Sequence, residues 1–238
     1  MNLSTKVLEY VNGAKLTNFS LLESISGTTE NSLRVIINRL VKHEKLYNPI
    51  RGVYVAKDAD PFWVAVTLFP GYISLSSVFY LHNLIDEYPF TVFVASEARR
   101  SIKMGGHEFL YFKTKNYLGV EEGKYKMASV EKAIYDSLLH IDMVGIPMLA
   151  KALYYAKINS RKFMQISNSE SSAFFQRLGY LISILPNKDT EKKKLMALCA
   201  KRIRANTYLQ GRNKGRYVKE WKIIDNVGKE VFLAWLHQ

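Results

Sequence analysis

The sequence predicts an α+β protein of two domains. An N-terminal winged helix-turn-helix spans residues 1–58, and a larger mixed α/β domain, mostly helical towards its end, spans 59–238. Three observations predict it. Apolar residues recur at Leu33, Ile36, Ile37 and Leu40, one face of a helix, just after the breaker Ile25-Ser26-Gly27-Thr28. Two β-prone runs within Lys45–Val55 then flank a turn containing Pro49 and Gly52. Beyond a polar, Pro-containing junction at Asp58-Ala59-Asp60-Pro61, strand signals give way to a succession of helical ones.

The N-terminal elements carry the chemistry. Phe19-Ser20-Leu21-Leu22 is a short apolar stretch leading into the breaker. In the next helix, at about 100° per residue, the face opposite the apolar stripe bears Asn31, Val35, Asn38 and Lys42, flanked by Arg34 and Arg39, with Glu30 near the start. Asn pairs with N6 and N7 of adenine, Arg with O6 and N7 of guanine, and a small branched side chain meets the thymine methyl. Asn31, Arg34, Val35 and Asn38 are therefore the candidate base readers. Thr28 or Thr29 caps the helix, where hydroxyls and free N–H groups also favour phosphate. Arg39 and Lys42 lie further along and suit the DNA backbone, and Arg51 sits at the tip of the wing. The plain alternative is a solvated face of an amphipathic helix, since fold alone does not give function.

The following elements read in order as a helix at Phe62–Phe69, a short strand at Tyr72–Leu75, a helix at Ser76–Leu84 and a strand at Thr91–Ala95. Next come a Gly105-Gly106 hairpin turn and a strand at Glu108–Lys113. Ser129 caps a helix from Val130 to His140, with Glu131 in its first turn, and further helices run over about 147–156, 170–185 and 191–204. The tail holds a β-like stretch, Tyr217–Ile224, a turn at Asn226-Val227-Gly228, and an apolar end, Val231–Leu236.

Charge is unevenly placed. The net charge is +13 over 238 residues. Residues 1–58 hold eight Lys/Arg against five Asp/Glu, residues 59–128 seven of each, and residues 129–238 nineteen against nine. Between 192 and 222 eleven basic residues, among them Arg202, Arg204, Arg212, Lys214 and Arg216, face one acid, Glu220, and are interleaved with Tyr208, Tyr217 and Trp221. Such a segment is the footprint of a polyanion-binding surface, or else a solvated basic face; it lacks the clean amphipathic stripe of a membrane-surface helix. The apolar stretches fall short of the roughly 20 residues that cross a bilayer, and no signal-peptide core opens the chain, so a cytoplasmic location is expected.

Enzymatic signatures are missing from the sequence: no Gly-rich phosphate loop, no His-Glu-x-x-His, no Gly-x-Ser-x-Gly. The five histidines are far apart, His82 reads as a core residue, and the single Cys199, among Leu195, Met196 and Leu198, as a buried thiol. No cofactor, metal site or catalytic residue is expected. The sharpest enzymatic alternative is a nuclease using Asp86, Glu122 and Lys124 on a metal, although Glu122 reads as part of a loop. A nucleic-acid-associated adaptor, its winged module making protein contacts, is the other alternative.

Several blocks together carry a resemblance. Arg51-Gly52-Val53-Tyr54, Asp60-Pro61-Phe62-Trp63, the run from Tyr72 to Leu84, Asp86-Glu87-Tyr88-Pro89 and Ser129-Val130-Glu131-Lys132-Ala133-Ile134-Tyr135-Asp136 make residues from about 15 to 140 similar to the AbiEi family of abortive-infection antitoxins. The chain departs from that pattern at Val78 and Asn83, where small residues are expected. The resemblance implies a transcriptional repressor that binds inverted repeats in its own promoter. It also implies a functional partner, a nucleotidyltransferase-like toxin that need not be contacted directly. DNA reading would map onto Thr28–Lys42 and Arg51, and antitoxicity onto the C-terminal domain.

Overall fold

The computed structural model describes residues 2–186 and 188–237. Helix α1 (Leu3–Ala14) starts at Asn2, whose side chain accepts from the Ser4 amide at 3.0 Å, and buries Val7 and Val11. After β1 (Leu16–Asn18), Asn18 caps α2 (Phe19–Ser26) by accepting from the Leu21 amide at 2.9 Å. Helix α3 (Glu30–Lys42) buries Leu33, Ile37 and Leu40 against α1, α2 and β2 (Leu46–Ile50); Ile36 is only half-buried. β3 (Val53–Ala56) lies between β1 and β2 in an antiparallel sheet pairing Leu16 with Val55 and Tyr47 with Val55. α4 (Pro61–Leu68) follows, with Pro61 in its first turn and the Asp60 carboxylate accepting from the Phe62 amide at 3.0 Å.

β4 (Tyr72–Ile73) and α5 (Leu75–Leu81) come next, then β5 (Thr91–Ser96), β6 (Arg100–Met104) and β7 (His107–Lys113). β6 and β7 form an antiparallel hairpin around Gly105-Gly106, both at positive φ, and β5 runs parallel to β7. β8 (Val120–Glu122) and β9 (Lys126–Ala128) are antiparallel, and β9 pairs in parallel with β4 through Met127 and Ile73. Glu122, read from the sequence as a loop residue, thus ends a strand; pairing with Lys126 across the hairpin makes it one.

The remainder is α6 (Val130–Leu139), α7 (Ile141–Val144), α8 (Ile146–Tyr155), α9 (Ser160–Ile166), α10 (Ser172–Ile184), α11 (Thr190–Ala200), β10 (Thr207–Tyr208), β11 (Arg216–Val218), β12 (Ile223–Asp225) and α12 (Lys229–Phe232). α6 is buried from Glu131 to Leu138, with α5, α8, α9 and α10 packed around it. The β-like stretch expected at 217–224 is two strands separated by a 3-10 turn at Lys219–Trp221; β12 pairs with both β10 and β11. Trp221 is the reason: its ring packs so closely on α10 at Gly179 that a Cβ there would lie 2.0 Å from it. Cys199 is buried as expected, and burial pushes its thiol up to about 12. His82 is half-buried at the end of α5.

The described chain is therefore a mixed α+β protein, and no described helix is long and apolar enough to cross a membrane. It forms two units, Met1–Gly71 with Phe90–Lys113, and Tyr72–Pro89 with Thr114–Gln238. These do not divide at one point near residue 58. Strands β5–β7 belong with the N-terminal elements: β6 packs on β2, Gly105 sits against the Tyr47 ring, and the Tyr111 hydroxyl donates to the Ala65 carbonyl of α4 at 2.6 Å.

Candidate nucleic-acid interface

Three residues separate α2 from α3. Gly27 ends α2 in the left-handed region at φ 65° and ψ 24°, which suits glycine because no Cβ meets the backbone. Of the two threonines read as caps, Thr29 takes the position: its side chain accepts from the Ser32 amide at 3.4 Å and its hydroxyl donates to Ser32 Oγ at 3.0 Å. Thr28 is half-buried, its amide directed at Ser26 Oγ at 3.4 Å.

Asn31, Arg34, Val35, Asn38, Arg39 and Lys42 are all exposed along α3. Val35 keeps 49% of its surface in solvent, which leaves its methyl groups accessible. The Asn31 and Asn38 amides have no hydrogen-bond partner among the described residues, which leaves both their donors and acceptors open. Arg34 differs. Its Nε donates to Glu30 Oε1 at 2.8 Å, and its guanidinium lies 4.5 Å from the Phe19 ring centroid.

Arg51 stands exposed on the β2–β3 hairpin. Pro49 cannot donate to the ladder, and the register shifts between Tyr47 and Ile50. Asn48 compensates, its side-chain amide donating to the Ile50 carbonyl at 2.7 Å and to Val53 at 2.6 Å. Gly52, at φ 78°, turns the chain, and its carbonyl accepts from the Phe19 amide at 2.8 Å, so the hairpin tip is tied to the start of α2.

Within the basic segment at 192–222, one cation is not at the surface. Lys192 is buried: Nζ donates to the Tyr154 and Ala156 carbonyls at the end of α8, at 3.0 and 2.8 Å, and pairs with Asp189 at 3.0 Å. It serves as a C-terminal helix cap. Lys194 pairs with Glu191 at 2.7 Å, and Lys222 donates to the Arg204 carbonyl at 3.1 Å. Arg202 and Arg204 are exposed just past α11, with Arg202 donating to Asn168 Oδ1 at 3.2 Å. Arg212, Lys214 and Arg216 are exposed on the β10–β11 connection and the start of β11. All five predicted cations are thus exposed.

Asp86 and Glu122 of the nuclease alternative are both engaged by lysines, Asp86 by Lys151 at 3.0 Å and Glu122 by Lys126 at 3.5 Å. Among the described residues no three His, Cys, Asp or Glu side chains are grouped as metal ligands would be.

No protein-family model matches the sequence, and no curated protein is similar to it. The fold resembles the crystal structure of the Rv2827c protein from Mycobacterium tuberculosis, with a TM-score of 0.72 and 14% identity, over 99% of this chain and 95% of that one. At that identity the likeness is one of fold.

Proposed function

We propose that the protein is a sequence-specific DNA-binding repressor whose first unit carries a winged helix-turn-helix. The observation that carries the reading is the two-faced α3: Leu33, Ile37 and Leu40 buried, with Asn31, Val35 and Asn38 held out in solvent directly after a short turn through Gly27. A helix presented in this way enters the major groove, where amide side chains read adenine and a branched methyl meets thymine. The Thr29 cap and the free amides of the first turn suit a phosphate, Arg39 and Lys42 the backbone, and Arg51 at the hairpin tip a neighbouring groove. Arg202, Arg204, Arg212, Lys214 and Arg216 add sequence-independent phosphate contacts.

The similarity of residues 15–140 to abortive-infection antitoxins supports a narrower version. In it the chain represses its own promoter and counteracts a nucleotidyltransferase-like toxin without necessarily touching it.

A gel-shift titration with the upstream promoter and a scrambled duplex tests the reading. Asn38→Ala is expected to cost about 1–3 kcal/mol of discrimination. Arg212→Ala and Arg216→Ala are expected to weaken both duplexes alike and flatten the salt dependence. Equal affinity for promoter and scrambled DNA overturns it. Co-expression with the neighbouring toxin gene tests the narrower version, which fails if growth is not rescued.

A further inference from the structure

We propose that the groove beside α9, in the second unit, binds an unpaired nucleic-acid strand. It is separate from α3 and its candidate base readers, and of the cations proposed above for duplex phosphates it shares Arg202.

The groove consists of two adjoining cavities of about 850 and 550 Å³, which share Gln165 and Asn168. Their size is that of pockets which accept a ligand of one or a few rings. The outer wall of the larger cavity is the 114–118 loop, fixed by Asn116: its Nδ2 donates to the Ile166 carbonyl at 3.0 Å and its Oδ1 accepts from the Leu118 amide at 3.0 Å. Gly119, at φ 84°, lets that loop close on α9, since a Cβ there would sit 2.6 Å from Ile166. The floor is Tyr135 of α6, whose hydroxyl donates to Glu170 Oε1 at 2.6 Å. Burial, with that hydrogen bond, pushes the hydroxyl up to about 12, so it remains a donor and keeps the one acid of the lining occupied.

Three features define the ligand. First, the lining cations lack acids: Lys115 and Arg161 have no ion-pair partner among the described residues, and Arg202 is held to the Asn168 amide rather than to a carboxylate. Lys162, beside Arg161, shows the contrast, pairing with Glu121 at 2.7 Å and Glu131 at 3.3 Å. Second, Tyr117 and Leu118 stand at the larger cavity 45% and 62% exposed, the Tyr117 ring steadied edge-on by Tyr72 at 5.7 Å. Third, the boundary between the cavities is amide, Gln165 and Asn168, offering donors and acceptors to a base edge. Unpaired cations, a steadied aromatic face and amides in one slot match phosphate, base face and base edge. A duplex hides its base faces in the stack, and an acidic peptide leaves the aromatic and amide groups unused.

Fluorescein-labelled U and A homopolymers of about ten nucleotides, as RNA and as DNA, are titrated with the full chain by anisotropy, with promoter duplex run alongside. Saturable strand binding is expected, weakened about tenfold by Tyr117→Ala and likewise by Arg161→Glu, with promoter affinity and melting temperature unchanged. Preference between RNA and DNA identifies the strand. Absent binding, binding that both variants retain in full, or equal displacement by a poly-glutamate of the same charge overturns the proposal. Loss of promoter binding in Asn38→Ala leaves this readout untouched, so the two readings fail separately.

Discussion

Arg34 is folded back along its own helix onto Glu30, Nε to Oε1 at 2.8 Å, with Phe19 beneath its guanidinium. Reading guanine therefore requires exchanging Glu30 for O6 and N7, and the carboxylate must leave or stay near phosphate. Both effects oppose binding. Glu30→Gln is expected to tighten promoter binding about twofold to fivefold, the scale of an exposed ion pair worth roughly 0.2–1 kcal/mol. Gel-shift titration at low salt checks this, and a weaker complex removes Arg34 from the set of candidate base readers.

Lys132 and Asp136 form a buried ion pair at 2.7 Å on α6, at 0% and 2% side-chain exposure. Ser74 and the Tyr72 hydroxyl donate to the other carboxylate oxygen at 2.7 and 3.1 Å, and Lys132 lies 4.4 Å from the Tyr135 ring centroid. Burial pushes Asp136 up from the usual carboxylate range and Lys132 down from the usual amine range, each restrained by the other's charge. Removing one partner leaves an uncompensated buried group, so Lys132→Met is expected to cost about 3–5 kcal/mol. The double variant Lys132→Met with Asp136→Leu should recover much of that loss. Urea denaturation of both reads the result, and additive losses would mean the pair is not coupled.

The parts of the fold set by local pattern were legible in the sequence, and the parts set by partners were not. Leu33, Ile37 and Leu40 repeat at helical spacing, so α3 and its exposed face follow from the sequence alone. Arg100–Met104 shows no such pattern, because two of its five residues are charged; it is a strand only through its ladder with β7. α9 is short, with adjacent basic residues, and its place depends on Glu191 and Asn116 from distant segments. Lys192, in a run of three lysines, reads as solvated, yet the carbonyls closing α8 draw it inside. The Arg34–Glu30 pair was visible as i,i+4 spacing, whereas the α9 groove combines residues 115–118 with 161–168 and 202, which no local reading joins.

Glu191 links α11 to α9: Oε2 accepts from the Ser160 amide at 3.1 Å and from its hydroxyl at 2.6 Å, while Oε1 pairs with Lys194. Lys194 and then Ser160 hold the carboxyl down, from 4.5 to about 2. A depressed carboxylate contributes stability that is complete above its unfolded pKa and is lost as pH falls through the folded value. Stability is therefore expected to drop between about pH 4.5 and 2 from this group. Glu191→Gln should be less stable near neutral pH and flatter across that window. Denaturation midpoints at stepped pH check it, and parallel profiles for the two chains would assign the acid sensitivity elsewhere.

Gly27 sets how α3 leaves α2, and nothing lies within 4 Å of where its Cβ would be. Space is thus not the constraint; the left-handed φ of 65° is. Gly27→Ala is expected to destabilise the first unit by about 1–2 kcal/mol, the cost of that conformation for a residue with a Cβ. Gly27→Asn should cost less, because a short amide side chain tolerates the region and bonds locally. Amide hydrogen exchange localised to α2 and α3 separates this from effects on the second unit: protection should fall in the order Gly, Asn, Ala. If protection is the same for all three residues, the turn is not held in the left-handed conformation, and the direction in which α3 leaves α2 would need another origin.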